Sequence, residues 1–111
     1  MIIFPGNHDC QTIKGWYKSL NLKKRKILRR FLNNNKCSKN INIGIIQYCL
    51  KCNANITIVQ AQDILELGNY ARTNTPGTIS NKNWSWKLKN LDDFKLKINN
   101  INPIILKNNL F

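Results

Sequence analysis

The sequence predicts an α/β fold from three features of its order, which suit, without proving, the C-terminal portion of a (β/α)8 TIM-type barrel. Residues 1–4, Met-Ile-Ile-Phe, are a short apolar run stopped by Pro5 and Gly6, and residues 55–59, Asn-Ile-Thr-Ile-Val, are a second run, apolar and rich in β-branched side chains. Helical periodicity fills the sequence between them. Short apolar runs bounded by turn residues read as buried strands. Two successive strand-to-helix units at a chain's end suit the closing segment of a parallel barrel, which needs roughly 250 residues to be complete. At 111 residues the chain is expected to be one unit, residues 1–111, and an incomplete barrel.

The elements follow in order. After the first run, Asn7, His8, Asp9 and Cys10 fall just past a strand's C-terminal end, where α/β barrels keep their chemistry. Thr12 is placed to cap a helix whose apolar residues, Ile13, Trp16, Tyr17 and Leu20, recur at spacings of three and four. That spacing assigns Trp16 to the core. Residues 22–32 make a second helix, with Ile27, Leu28, Phe31 and Leu32 on one stripe and six Lys and Arg side chains on the remainder, ended by the run Asn33, Asn34 and Asn35. Residues 41–52 carry a broad apolar stripe suited to a helix pressed on a sheet, slightly weakened by Gly44. The strand at 55–59 leads to a short helix within 60–67, and then to a polar loop punctuated by Gly68, Pro76 and Gly77. A last helix starts near Asp92 and Asp93, and Pro103 is expected to end or kink it.

Composition narrows the function classes. Eighteen Lys and Arg against five acidic residues give a formal charge of +13, a field that favours polyanions. Lys, Asn and Ile also recur through every loop, a bias that an AT-rich coding sequence produces without selection for binding. No window approaches the roughly 18 consecutive apolar residues of a membrane span. Four cysteines without a recognisable signal peptide fit a reducing cytoplasm. Cys49 and Cys52 are a lone C-x-x-C on an apolar helix face, which reads as two small buried hydrophobes. A zinc site would need two further ligands from Cys10, Cys37 and His8 at no recognised spacing, so no metal is expected.

Two ordered blocks carry a family resemblance. The first is Pro5-Gly6-Asn7-His8-Asp9-Cys10-Gln11-Thr12 followed by Gly15-Trp16-Tyr17. The second is Gln62-Asp63-Ile64-Leu65-Glu66-Leu67-Gly68-Asn69, then Ala71-Arg72-Thr73-Asn74-Thr75-Pro76-Gly77-Thr78, then Asn83-Trp84-Ser85-Trp86. The first resembles the T-G-T-H-D-N-D/Q-T-x-x-G-W segment of the 4-α-glucanotransferases. The second, more specific, is similar to that family's Q-D-L-L-G-L-G-x-x-A-R-M-N-x-P-G-T and N-W-x-W signature. The chain departs from the pattern at Asn7 (usually Thr), Cys10 (Asn), Ala61 (Pro), Glu66 (Gly) and Thr73 (Met).

The resemblance implies transfer of α-1,4-glucan segments to glucose or maltodextrin acceptors by a retaining mechanism with no cofactor. Such transfer needs a nucleophilic carboxylate and an acid/base carboxyl about 5–5.5 Å apart, and the family supplies both from earlier strands. It places Asp9 as a third carboxylate, which stabilises the transition state, with His8 contacting the same sugar. Read without the resemblance, His8 and Asp9 are a polar turn near a helix start. Arg72, Asn74, Pro76 and Gly77 are assigned to a loop at the barrel mouth. Trp84 and Trp86, two apart, would point the same way from an extended segment and offer stacking faces for glucose, or else pack in the core. Asp63, Glu66, Asp92 and Asp93 replace neither missing group, so the isolated chain is expected to be inactive. A separate N-terminal chain completing the barrel is one expected partner. The rival reading is a small basic nucleic-acid-binding protein built on the cationic segment at 22–39.

Overall fold

The computed structural model describes residues 2–107, with side chains through residue 103. Strand β1 (Ile2–Ile3) pairs in parallel with β2 (Ile56–Thr57), Ile2 opposite Ile56 and Ile3 opposite Thr57. The Ile58 amide extends the ladder to the Ile3 carbonyl at 3.0 Å. Helices α1 (Ile13–Ser19), α2 (Leu22–Asn34) and α3 (Ile41–Lys51) fill the crossover. After β2 come α4 (Ala61–Ile64), a 3-10 turn (Asn69–Ala71), a long loop and α5 (Leu91–Lys107). Both strands are shorter than their apolar runs, because each has only one neighbour among the described residues to define it.

Local chemistry sets most helix limits. The side-chain oxygens of Thr12, Asn21 and Asn40 accept from the amides of Gly15, Lys24 and Ile43 at 3.1, 2.8 and 3.1 Å, each closing the first turn of the helix that follows it. Helix α2 overruns its expected limit by two residues. It ends in a Schellman motif, with the Cys37 amide on Leu32 O (2.9 Å), the Lys36 amide on Asn33 O (3.0 Å) and Lys36 left-handed at φ 57°. Helix α4 ends the same way, with the Leu67 amide on Gln62 O (2.9 Å), the Glu66 amide on Asp63 O (3.2 Å) and Glu66 at φ 59°. That reversal cuts the helix expected within 60–67 to four residues.

Helix α3 forms the centre of the packing, touching α1, α2, α4 and α5. Leu32, Ile43, Ile46 and Ile101 are buried between these helices. At Gly44 a β-carbon would collide with the Ser38 carbonyl, so the residue that weakens the helix also lets α3 close on the preceding loop. Helix α5 starts at Leu91, where Asn90 Oδ1 accepts from the amides of Asp92 (2.9 Å) and Asp93 (3.3 Å).

Of the two outcomes expected at Pro103, an end to α5 does not occur: the helix continues to Lys107, and an internal proline forfeits one backbone hydrogen bond. One expectation needs correction. Trp16 is not core: it is 38% exposed, because the apolar side of α1 faces an open groove. Cys49 is buried and Cys52 half-buried, its thiol directed at Tyr48 O at 3.3 Å, and all four cysteines are free thiols. Burial pushes the Cys37 and Cys49 thiols above their ordinary value. Among the described residues no helix is long and apolar enough to cross a membrane, and no three His, Cys, Asp or Glu side chains converge as metal ligands.

Candidate functional site

The site begins where β1 runs out. Asn7 turns the chain, its side-chain oxygen accepting from the Asp9 amide at 2.9 Å and its carbonyl from the Cys10 amide at 3.0 Å. This Asx-type turn throws His8 and Asp9 outward, about half exposed (53% and 48% of the side chain). His8 Nε2 lies 3.2 Å from Asp9 Oδ2. Asn74 Nδ2 donates to Asp9 Oδ1 at 2.8 Å, and Arg72 Nη2 donates to the Asp9 carbonyl at 2.8 Å. Arg72 Nε also donates to Asn74 O at 2.8 Å, so one guanidinium fixes both partners. Each carboxylate oxygen of Asp9 keeps acceptor capacity for a further donor.

Trp84 completes this cluster. Its ring centroid is 5.1 Å from that of His8, with the planes tilted by 33°. Its backbone is left-handed at φ 62° and its amide donates to the Thr73 carbonyl. A bulky residue in that region carries strain that the surroundings must hold in place, and Asn83 supplies part of the hold. Its side chain accepts from the Thr75 amide at 3.1 Å and donates to Thr78 O at 3.2 Å.

The structure thus gathers His8, Asp9, Arg72, Asn74 and Trp84 and separates the other assigned residues. Pro76 and Gly77 are the corner of a tight turn in which the Thr78 amide meets Thr75 O at 3.3 Å and Gly77 takes φ 77°, a conformation that suits Pro then Gly. Trp86 does not point with Trp84. Because Trp84 is left-handed rather than extended, Trp86 falls instead in a shallow groove with Leu65, Leu67 and Tyr70.

Sequence reasoning missed the residues beneath this cluster. Asp63, 1% exposed, accepts from the Ile13 amide through Oδ1 at 2.8 Å, and Asn42 Nδ2 donates to its carbonyl at 2.8 Å. Burial drives the Asp63 carboxyl above its ordinary pKa against the opposing pull of the Ile13 hydrogen bond. Asn69 Oδ1 accepts from the Thr12 amide at 3.3 Å, and its Nδ2 donates to Gln11 Oε1 at 2.9 Å. Gln62 Nε2 donates to Ala71 O (3.2 Å) and Thr73 Oγ1 (3.0 Å). The second block therefore holds the first at residues 9, 11 and 12, and the start of α1 at residue 13. The detectable signal was the density of Asn, Gln and Asp in that block, too many for a loop that only turns.

Glu66 has its own setting. Lys97 Nζ donates to Oε2 at 2.6 Å and Asn40 Nδ2 to Oε1 at 2.7 Å. Partial burial works to raise its pKa, but these two donors and the charges of Lys97 and Lys14 outweigh it, and the carboxyl lies below its ordinary value. None of these links reaches Asp9.

A polar site on the loop that leaves a parallel strand, braced by a later loop, places the chain among α/β proteins with strand-end sites. The chain belongs to the 4-alpha-glucanotransferase family, whose sequence profile matches residues 1–93. It is 35% identical over 88 residues to the 4-alpha-glucanotransferase of Aquifex aeolicus, covering 79% of this chain and 18% of that protein. The chloroplastic/amyloplastic 4-alpha-glucanotransferase of Solanum tuberosum is 32% identical over 93 residues, covering 84% of this chain and 16% of that one. Among solved structures, an amylomaltase from Streptococcus agalactiae in complex with acarbose superposes with a TM-score of 0.76 at 24% identity, over 94% of this chain and 21% of its own. The chain therefore spans less than a fifth of the length of these two relatives.

Proposed function

We propose that this chain is the acceptor-side end of a 4-α-glucanotransferase barrel, with Asp9 binding sugar hydroxyls and stabilising the oxocarbenium-like transition state. The observation that carries the reading is the meeting of two blocks, 65 residues apart, on one carboxylate through Asn74 Nδ2 and Asp9 Oδ1 at 2.8 Å. A carboxylate held from both sides keeps its aim as charge develops on the sugar, so it stabilises the transition state without reorganising. His8 offers a second polar contact to the same sugar, and the exposed face of Trp84 offers an apolar wall for a glucose ring. Arg72 and Asn74 orient Asp9, while Pro76 and Gly77 shape the loop behind them. Trp86 lies apart, and its part in glucan binding is limited to a more distant ring of a longer chain.

The two groups that break and remake the glycosidic bond come from polypeptide outside residues 1–111. Asp63 is buried, Glu66 is tied to Lys97 and Asn40, and Asp92 and Asp93 sit at the start of α5. The substrates are α-1,4-glucans, the partner polypeptide is the remainder of the barrel, preceding these residues or encoded separately, and the working compartment is the cytoplasm. No cofactor enters the reaction.

The test joins residues 1–111 behind the portion of the Aquifex aeolicus enzyme that precedes its matched region and supplies maltotriose. Release of glucose together with longer maltodextrins is expected, and Asp9→Asn should abolish it with an unchanged circular-dichroism spectrum. Full turnover by the Asn variant removes Asp9 from this role.

A further inference from the structure

The corner between α2 and α3 holds a second concave feature, which shares no residue with the His8–Asp9 cluster. A hollow of about 430 Å³ opens where α2 gives way to the stretch that leads into α3, a size within the range of small-molecule sites. Its floor is apolar, made of the buried Leu32 and Cys37 and the half-buried Ile41. Its rim is polar, with the exposed cations Arg29 and Lys39 and the half-buried Ser38.

Charge in this corner has one sign. The chain has five acidic residues, and every one is placed elsewhere. Asp9 faces His8 and Asn74, Asp63 accepts from the Ile13 amide, Glu66 is held by Lys97 and Asn40, and Asp92 and Asp93 lie in the first turn of α5. Among the described residues the ion pairs are His8–Asp9 and Lys97–Glu66, so Arg29 and Lys39 have no counter-charge there. Ile41 opens α3, whose first turn carries no acidic residue, and the positive end of that helix dipole adds to the same sign. Two rim groups are also held in place. The Arg29 guanidinium lies 5.8 Å from the centre of the Tyr17 ring. The Ser38 amide donates to Gln47 Oε1 at 2.6 Å, and Ser38 Oγ accepts from the Asn40 amide at 3.2 Å, which leaves the hydroxyl proton to donate.

These features select an occupant. Cations and a hydroxyl ask for an anionic head, while the apolar floor is satisfied by hydrocarbon and not by a sugar or a bare ion. An extended polyanion would lie along the exposed cations of α2 without reaching the buried Leu32 and Cys37. We propose that the α2–α3 hollow binds a small amphipathic anion, a short hydrocarbon chain ending in a carboxylate or a phosphate monoester. Leu32, Cys37 and Ile41 surround the chain, and Arg29, Lys39 and Ser38 take the head. The claim does not depend on glucan transfer, and it stands or falls on binding alone.

The experiment titrates residues 1–111 by calorimetry with octyl phosphate and with octanoate, each below its micelle concentration, and with octanol and inorganic phosphate. One equivalent of octyl phosphate, octanoate or both is expected to bind at least roughly tenfold more tightly than octanol or inorganic phosphate, each of which lacks one half of the ligand. The amphiphile that binds more tightly identifies the head group the rim prefers. Its binding should shift the amide resonances of Ser38, Lys39 and Ile41. Lys39→Glu is expected to weaken it by at least roughly tenfold, and Arg29→Gln to weaken it in the same direction. Lys23→Glu makes the same change of charge at the opposite end of α2 and should leave both affinity and circular dichroism as they were. Octanol binding as tightly as either amphiphile overturns the proposal, because no anion is then recognised. Inorganic phosphate binding as tightly, or an equal loss with Lys23→Glu, also overturns it and assigns the effect to the general field of the basic chain. So do shifts confined to Trp16 and Phe31, which give the ligand to the groove beside α1, and so does a failure of both amphiphiles to bind.

Discussion

The side chain of Asn69 occupies the space that a β-carbon on Gly15 would need. Gly15 is buried in α1, and the amide it leaves room for binds Thr12 and Gln11, the residues that follow the His8–Asp9 turn. Gly15→Ala gains helix propensity of about 1 kcal/mol, but it drives Asn69 out of its hydrogen bonds. Overpacking of a tight site costs about 1–3 kcal/mol, and the lost bonds add to it. The expected result is net destabilisation in urea unfolding of the isolated chain. Asn69→Ala placed on top of it should cost little more, since the two changes break one contact.

The same contact indicates what was legible in the sequence. Helix positions and N-caps were readable because they depend on neighbours in sequence: Thr12 caps α1 as expected, and α3 ends one residue before its predicted limit, with Cys52 at its C-cap. The strand-end location of His8 and Asp9 was readable for the same reason. The brace was not, because its partners are 50 to 65 residues apart and no periodicity connects them. The shortened α4 and the parting of Trp84 from Trp86 were hidden by left-handed backbone at Glu66 and Trp84, residue types that give no sign of it. Departures from the family pattern become intelligible at this level. Ala61 is the first residue of α4, where a proline fits. Asn7 closes its turn with a side-chain oxygen, as a threonine does more weakly.

Glu66 stands where the family pattern carries glycine, and its φ of 59° explains that preference. A non-glycine residue there carries about 1–2 kcal/mol of strain, which the contacts with Lys97 and Asn40 partly offset. Glu66→Ala keeps the strain and loses the contacts, whereas Glu66→Gly loses the contacts and relieves the strain. Thermal unfolding should therefore rank the glycine variant above the alanine variant by roughly 1 kcal/mol. Equal stabilities would mean that the left-handed backbone is not strained.

Asp63 and Glu66 pull stability in opposite directions with pH. The folded pKa of Glu66 is depressed below its ordinary 4.5, so its stabilisation is present above that value and lost as pH falls through the folded pKa. The folded pKa of Asp63 is raised above its ordinary 3.8, so its contribution is full below 3.8 and lost as pH rises through the folded pKa. Asp63→Asn keeps an oxygen for the Ile13 amide and removes the buried charge, so its stability relative to the parent should improve as pH rises from 3.8 through the folded pKa of Asp63 and level off above it. Glu66→Gln should be less stable than the parent at pH 7, by a margin that closes on acidification. Denaturant midpoints from pH 7 down to well below the ordinary Glu66 value of 4.5 read both trends, and parallel profiles for parent and variants would refute the assignments.

Asn74 gives the sharpest test of the brace as a functional device. Its amide holds Asp9 Oδ1, and its carbonyl is held in turn by Arg72 Nε. Removing the amide leaves the fold's buried contacts in place, because Asn74 lies on the half-buried loop surface, but frees the Asp9 side chain to rotate. A hydrogen bond to a charged group contributes about 1.5–3 kcal/mol. If it acts mainly in the transition state, Asn74→Ala in the joined polypeptide should lower kcat about 10- to 100-fold, with little change in KM for maltotriose. Asn74→Asp, which sets a second carboxylate against Asp9, should be at least as damaging, while Asn74→Gln should recover part of the rate if its longer amide reaches the same oxygen. A uniform rise in KM with kcat untouched would make Asn74 a ligand of the glucan rather than the residue that aims Asp9.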